Sequence, residues 1–326
     1  MKPLMILMIP VMLGCGSRGP LPTTPTPPGD GGIDGPLVPS DGPPLDSPRP
    51  DAWVDPHRPP LPVTARCTSG WCMIPAGSFT MGSPPWEMCR NWSDTMETQH
   101  KVSLTHSYEI AATEVTQGQF GALMGYNPSS FTSCGQDCPV EHVRWHDAAA
   151  YCNALSAKNG LPPCYSCKAS GSDVACTASQ SIYGCAGYRL PTEAEWEFAY
   201  RAGTTSAYHS GDNNSCTGKD PKADAIGWYD LNAWQTIHPV AQKVPNAWGL
   251  YDMAGNTLEW THDSCHKDLG SGAAVDPEPA ATSNGRVLKG GSWLSFVRQL
   301  RGAYRTCGLA HTHSYLTGFR CVRMTQ

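Results

Sequence analysis

The chain has 326 residues and a formal net charge of −5, with no basic run, which argues against nucleic acid as a partner. Half of its 30 prolines fall between Gly16 and Pro62, in a stretch of Pro, Gly, Asp, Ser and Thr with too few bulky apolar residues to offset the entropy of ordering. Most of its 11 tryptophans and 33 glycines fall in the remainder, which is long enough to bury a core and reads as one loop-rich domain packed by aromatics.

In chain order, residues 1–15 carry Lys2, an apolar run from Leu4 to Leu13, and Gly14-Cys15. The run is too short to span a bilayer and reads as a secretion signal. A small residue before Cys15 fits lipoprotein-type cleavage, with Cys15 as the lipidated first residue. The alternative is an ordinary signal with a chance cysteine, and the tether that follows, residues 16–65, favours the lipoprotein. The expected product is an exported, membrane-anchored lipoprotein at the outer membrane or cell surface/periplasm, with the folded domain at 66–326.

Setting Cys15 aside, 14 of the 15 cysteines remain, an even number in an exported chain, which points to disulfides. Cys134 and Cys138 bracket Gly-Gln-Asp as a small clipped loop. Cys164, Cys167, Cys176 and Cys185 crowd one segment that can be read as a zinc site or as local disulfides. The oxidising compartment favours the second reading.

Met73–Gly82 reads as a strand entering a turn. In Glu114-Val115-Thr116-Gln117-Gly118-Gln119-Phe120, Thr116 and Gln119 make a capping box that starts a helix. Residues 145, 148, 149, 152 and 155 form an apolar helical stripe. His142 and His146 have the spacing of metal ligands on a helix, but no third ligand is evident, and His311 and His313 fall in an apparent loop.

Arg189-Leu190-Pro191-Thr192-Glu193-Ala194-Glu195-Trp196-Glu197 opens another helix, capped by Thr192 and Glu195. Its three carboxylates are explained by the helix dipole and by salt bridges to the late arginines at 298, 301 and 305. In Tyr251-Asp252-Met253-Ala254-Gly255-Asn256-Thr257-Leu258-Glu259-Trp260, two hard carboxylates flank a Gly-Asn turn, a ligand set suited to calcium. The other reading is a turn whose carboxylates pair with arginines. The chain closes with Val287-Leu288-Lys289-Gly290-Gly291-Ser292-Trp293-Leu294-Ser295 and Gly318-Phe319-Arg320-Cys321. A Ser and a Trp after the Gly-Gly turn can line a pocket or belong to the core.

These stretches, in order from Met73 to Arg323, resemble the formylglycine-generating enzyme (sulfatase-modifying factor) family. The resemblance implies a compact, loop-rich α+β fold related to C-type lectins, with little regular structure and disulfide staples. It implies a structural Ca²⁺ held by Asp252, the carbonyls of Gly255 and Thr257, and Glu259, with Asp224 and Asn232 in the region of a second calcium site. It also implies a Cys152–Cys321 disulfide.

The family's enzymes oxidise a substrate cysteine with O₂ and a copper(I) ion held by two cysteine thiolates. Those positions are Ser295 and Leu300 here, and neither supplies the soft sulfur that copper(I) needs. The family's pocket serine is kept as Ser292, a pocket tryptophan becomes Leu258, and the nearest thiol is Cys307. The expected function is therefore a surface-tethered, calcium-stabilised module that binds a protein or peptide without formylglycine-generating activity. The alternative is an oxygen-dependent oxidoreductase of the same superfamily that uses other ligands, with His142, His146, His311 and His313 as the residues to watch.

Overall fold

The computed structural model describes residues 66–90, 95–168, 174–178, 181–278 and 285–325. The leader, Cys15 and the tether lie outside the described residues. Among the described residues four α-helices are set among short strands: α1 (Gln117–Met124), α2 (Trp145–Lys158), α3 (Glu193–Arg201) and α4 (Pro221–Ile226).

Both expected capping boxes form. Thr116 accepts from the Gln119 amide while the Gln119 side chain accepts from the Thr116 amide, and Thr192 and Glu195 repeat the exchange at α3. Each box satisfies two of the four free N–H groups at a helix start. At the other end of α3, Ala202 and Gly203 both take positive φ and turn the chain away.

A four-stranded antiparallel sheet joins the start of the domain to its end, in the order Arg66–Thr68, Trp71–Ile74, Tyr108–Ala111, Val322–Met324. A second sheet runs Thr306–Leu309, Gly285–Lys289, Leu258–Ser264, Thr317–Gly318, and the last pair is parallel. A third sheet contains Ala274–Val275, His100–Leu104 and Gly77–Met81. The strand expected over Met73–Gly82 is thus two strands in different sheets. Pro75 has no amide to donate to a ladder, and the chain changes sheet at Pro75-Ala76.

Tryptophans hold the interior, as their number suggested. Trp145, Trp196 and Trp260 are fully buried, and each indole N–H finds an acceptor: Thr261 O at 2.8 Å, Glu259 Oε2 at 2.8 Å and Val143 O at 3.0 Å. A buried tryptophan contributes its large apolar area only when that one donor is satisfied. The three α3 glutamates are buried as well, each against a cation. Glu193 pairs with Arg305, Glu195 with Arg189, and Glu197 with Arg201 and Lys289. Of these, only Arg305 is one of the late arginines; Arg301 instead meets Glu87 and Glu97.

Six disulfides staple the loops: Cys67–Cys72, Cys89–Cys216, Cys134–Cys138, Cys164–Cys185, Cys167–Cys176 and Cys265–Cys307. The crowded cysteines are therefore bridges, and Cys307 is taken by Cys265. Cys152 and Cys321 are buried thiols with their sulfurs 3.4 Å apart.

Candidate functional site

The motif stretches of the sequence meet at one buried point. Asp252, Gly255 and Asn256 all take positive φ, which folds residues 252–256 into a tight turn. A Cβ on Gly255 would lie 2.1 Å from Trp228 O, so this close backbone approach demands glycine. Gly255 N donates to Gly290 O and Trp293 N donates to Asn256 O, which ties the turn to the Gly-Gly segment.

Glu114 serves the same turn from the other side. Its carboxylate accepts from Asn256 Nδ2 at 2.8 Å, Thr257 N at 2.9 Å and Thr257 Oγ1 at 2.6 Å. Glu259 accepts from Trp196 Nε1 on α3 and takes a bidentate pair from Arg320, at 2.7 Å for each contact. Arg320 also donates to the carbonyls of Ala111 and Tyr251. Five sequence motifs thus share one hydrogen-bonded knot.

The charges in this knot are unbalanced. Glu114, Asp252 and Glu259 are buried together with a single guanidinium, Arg320. Burial pushes the Asp252 carboxyl up to about 6; the Ala241 amide, Arg320 and, less strongly, Lys243 pull against the shift and Glu259 adds to it. Burial, followed by the charges of Asp252 and Glu259, raises Glu114 well above the usual carboxylate range. Asp252 Oδ2 accepts from Ala241 N at 2.7 Å, while Asp252 Oδ1 is buried without a hydrogen-bond partner among the described residues.

A buried carboxylate oxygen with no donor, in a pocket short of positive charge, fits a hard cation. Among the described residues no three His, Cys, Asp or Glu side chains are grouped to hold a metal. Calcium would therefore draw on the carbonyls of Gly255 and Thr257 beside Asp252 and Glu259. The Glu259 oxygens would have to serve the cation in addition to Arg320 and Trp196.

Near Asp224 a cation is already present. Asp224 Oδ1 accepts from Tyr229 Oη and Asn232 Nδ2, and Lys243 Nζ donates to Asp224 O at 2.7 Å. The ammonium also lies 3.8 Å from the centre of the Trp228 ring. Lysine was not a candidate in the sequence, because nothing in its spacing tied residue 243 to residue 224.

Ser292, Ser295 and Leu300 are positioned by the turn after Gly291. Ser292 is buried, with N donating to Ser295 Oγ at 2.9 Å and the two hydroxyls 3.2 Å apart. Leu300 is fully buried in the core with Trp196, Tyr200 and Leu250. This pair does not fit copper(I): one member is a hydrogen-bonded hydroxyl and the other a packed aliphatic.

Beside it lies an aromatic surface. Phe131, Trp293 and Tyr315 meet edge-on or tilted at 5.5–6.4 Å between centroids, over a small apolar cluster that also takes in Trp228 and Ile237. Trp228 stacks on His238 at 3.8 Å and meets Trp234 at 6.1 Å. The bond from Asp230 N to Ser295 O brings this loop against the 292–295 turn. Trp234 is 78% exposed and Leu294 and Tyr315 are each 47% exposed, a concentration of large apolar side chains at the surface. Sequence periodicity does not reveal it, because its members come from four separate loops.

The histidines pair differently from their spacing. His146 Nδ1 accepts from Cys176 N, whereas His142 lies ring to ring with His313 at 4.9 Å, and His313 Nδ1 meets His142 O.

A short-stranded α+β scaffold, capped helices, a carboxylate-rich turn and a buried Gly-Gly-Ser-Trp segment define a formylglycine-generating-enzyme type of fold. Residues 60–325 match the sulfatase-modifying factor enzyme 1-like domain, and the chain belongs to that family. It is 35% identical to the chaperone protein LppX of Paenibacillus barcinonensis, over 62% of this chain and 75% of that protein. Identity to the formylglycine-generating enzyme of Thermomonospora curvata is 31%, over 60% of this chain and 58% of the enzyme. Among solved structures, Treponema denticola variable protein 1 superposes with a TM-score of 0.65 at 31% identity, over 78% of this chain and 95% of that one. PvdO from Pseudomonas aeruginosa, 23% identical with a TM-score of 0.60 over 78% of this chain and 94% of its own, bears on the fold alone.

Proposed function

We propose that this domain is a protein- or peptide-binding module that does not generate formylglycine. The observation that carries the proposal is the replacement of both copper-ligand positions, by a hydrogen-bonded Ser295 and a core Leu300, beside an exposed aromatic surface. Trp234, Tyr315 and Leu294 supply contact area beside the loop that the Cys134–Cys138 bridge closes, whose Cys134 meets Ile237 O. Aromatic anchors of this kind carry most of the energy of typical interfaces. The relatives named as a chaperone and as a variable protein are in keeping with a binding role.

The reading extends to a Ca²⁺ at Asp252, Gly255, Thr257 and Glu259, to a bridge between Cys152 and Cys321, and to anchoring through Cys15. Among the described residues no helix is long and apolar enough to cross a membrane.

Two measurements test the proposal. Incubated with copper(I), O₂ and a peptide carrying Cys-x-Pro-x-Arg, the natural protein yields no formylglycine by mass spectrometry, and the Ser295→Cys/Leu300→Cys variant gains copper(I) binding. Peptides selected from a displayed library lose affinity at least about tenfold on Trp234→Ala or Tyr315→Ala, roughly 1.4 kcal/mol. Formylglycine from the natural protein would sink the proposal, as would selected peptides indifferent to both aromatic substitutions.

A further inference from the structure

A second recess, separate in its chemistry from the aromatic surface, encloses about 410 Å³ and is lined by arginines. Arg298, Arg301 and Arg305 all reach its wall, together with the polar side chains of Gln299, Tyr304 and Thr306. Two of the three guanidiniums are already neutralised. Arg301 meets Glu87 and Glu97, each at 2.7 Å, and Arg305 holds Glu193 through a bidentate pair at 2.6 and 2.7 Å.

Arg298 differs from both. Its hydrogen bond is to a neutral acceptor, with Nη1 donating to Cys216 O at 3.4 Å, and its guanidinium lies 4.6 Å from the centre of the Phe296 ring. It forms no ion pair among the described residues, although its charge acts on the carboxyl of Asp230 and pulls against that group's burial. The one carboxylate on the wall, Glu97, has its oxygens engaged by Arg301 and Ser83. Met96 and the half-cystines Cys89 and Cys307 supply apolar wall.

We infer that this recess is a binding site for a small organic carboxylate, with Arg298 taking the carboxylate group. A planar guanidinium with free donors matches a carboxylate in a two-point fork. The volume exceeds what an inorganic oxyanion fills and suits a ligand with a short carbon body. Gln299 Nε2 donates to Tyr304 Oη at 2.7 Å, which leaves the tyrosine hydroxyl free to donate into the recess toward a second ligand oxygen. A free dicarboxylic acid and an acidic peptide side chain share this chemistry.

Calorimetric titration of the full chain with succinate, with a blocked glutamyl dipeptide and with sulfate at matched ionic strength tests the inference. Saturable binding of succinate or the dipeptide is expected near or below about 1 mM, and which of the two binds tighter distinguishes free acid from peptide side chain. Arg298→Gln reduces that affinity at least tenfold with an unchanged melting temperature, Arg298→Lys recovers part of it, and Trp234→Ala leaves it intact. The last variant separates this site from the aromatic surface, so either can fail alone. Absence of saturable binding by both carboxylates, sulfate binding as tight as theirs, or affinity unchanged in Arg298→Gln overturns the inference.

Discussion

At the scale of single residues, the buried acids of this domain differ in what their surroundings do to them. Burial opposes ionisation of Glu197, yet Lys289 and Arg201 outweigh it and hold its carboxyl down at about 2. Asp263 has no such rescue. Burial and then the neighbouring Glu193 push it up to about 8, against the Glu193 amide, which donates to Asp263 Oδ2 at 2.7 Å, and against Arg305. An unfolded aspartate titrates near 3.9, so between about pH 4 and about pH 8 the unfolded chain binds fewer protons here than the folded one. Stability from this group is therefore complete below about pH 4 and is lost as the pH rises toward about 8. An asparagine side chain in its place would keep an acceptor for the Glu193 amide and cannot ionise. Asp263→Asn is expected to gain stability relative to the natural protein as the pH is raised through this window, by up to about 1.4 kcal/mol per pH unit. Urea denaturation of both proteins at several pH values measures it; parallel curves would show that Asp263 does not carry the dependence.

At the scale of elements, α2 and the chain just before the C-terminal strand Val322–Met324 bring Cys152 and Cys321 together. The two sulfurs stand 3.4 Å apart inside the core, where a bond requires about 2 Å. Oxidative folding is expected to close this bridge, linking residues 169 positions apart. Cys152→Ser/Cys321→Ser should then cost about 2–4 kcal/mol, with non-reducing peptide mapping to locate the link. Two thiols labelled only after unfolding would show that the pair stays reduced. This pairing also shows what a single sequence discloses. The capping boxes were legible because Thr116/Gln119 and Thr192/Glu195 act over three residues, and the Cys134–Cys138 clip because its ends are close; that the crowded cysteines bridge locally was legible, but which pairs form was not. The Cys152–Cys321 approach was implied by the family pattern alone. The meeting of Phe131, Trp293 and Tyr315, with Trp228 in the cluster beneath, was not legible, since segments without periodicity bring them together. An arginine at Glu259 was one of the two readings of that turn, but Lys243 at Asp224 was hidden, because a long side chain reports its partner only once the backbone has been folded around it.

At the scale of the whole molecule, the motif junction is both the structural centre and the place with an electrostatic deficit. The Glu-Val-Thr segment, α3, the 252–259 turn, the Gly-Gly segment and the Gly-Phe-Arg segment all bond to one another there, so ordering that point orders the domain. Of the three buried carboxylates only Glu259 forms an ion pair among the described residues, with Arg320, and a buried negative charge without a partner costs several kcal/mol. A divalent cation beside Asp252 Oδ1 would offset that cost in the folded state and has no equivalent site in the unfolded chain. Calcium at about 100 times its dissociation constant should therefore add roughly 2.7 kcal/mol and raise the melting temperature by roughly 5–10 °C over the protein in EDTA. Binding should saturate at a single equivalent, because the Lys243 ammonium already occupies the neighbourhood of Asp224. Asp252→Ala should abolish the calcium response while leaving Arg320 paired with Glu259. Lys243→Met removes a positive charge that acts on both Asp224 and Asp252, so the calcium response should persist and tighten. Identical melting in EDTA and in millimolar calcium, with the natural protein folded in both, would mean that the knot tolerates its charge imbalance through protonation of Glu114 and Asp252 rather than through a metal.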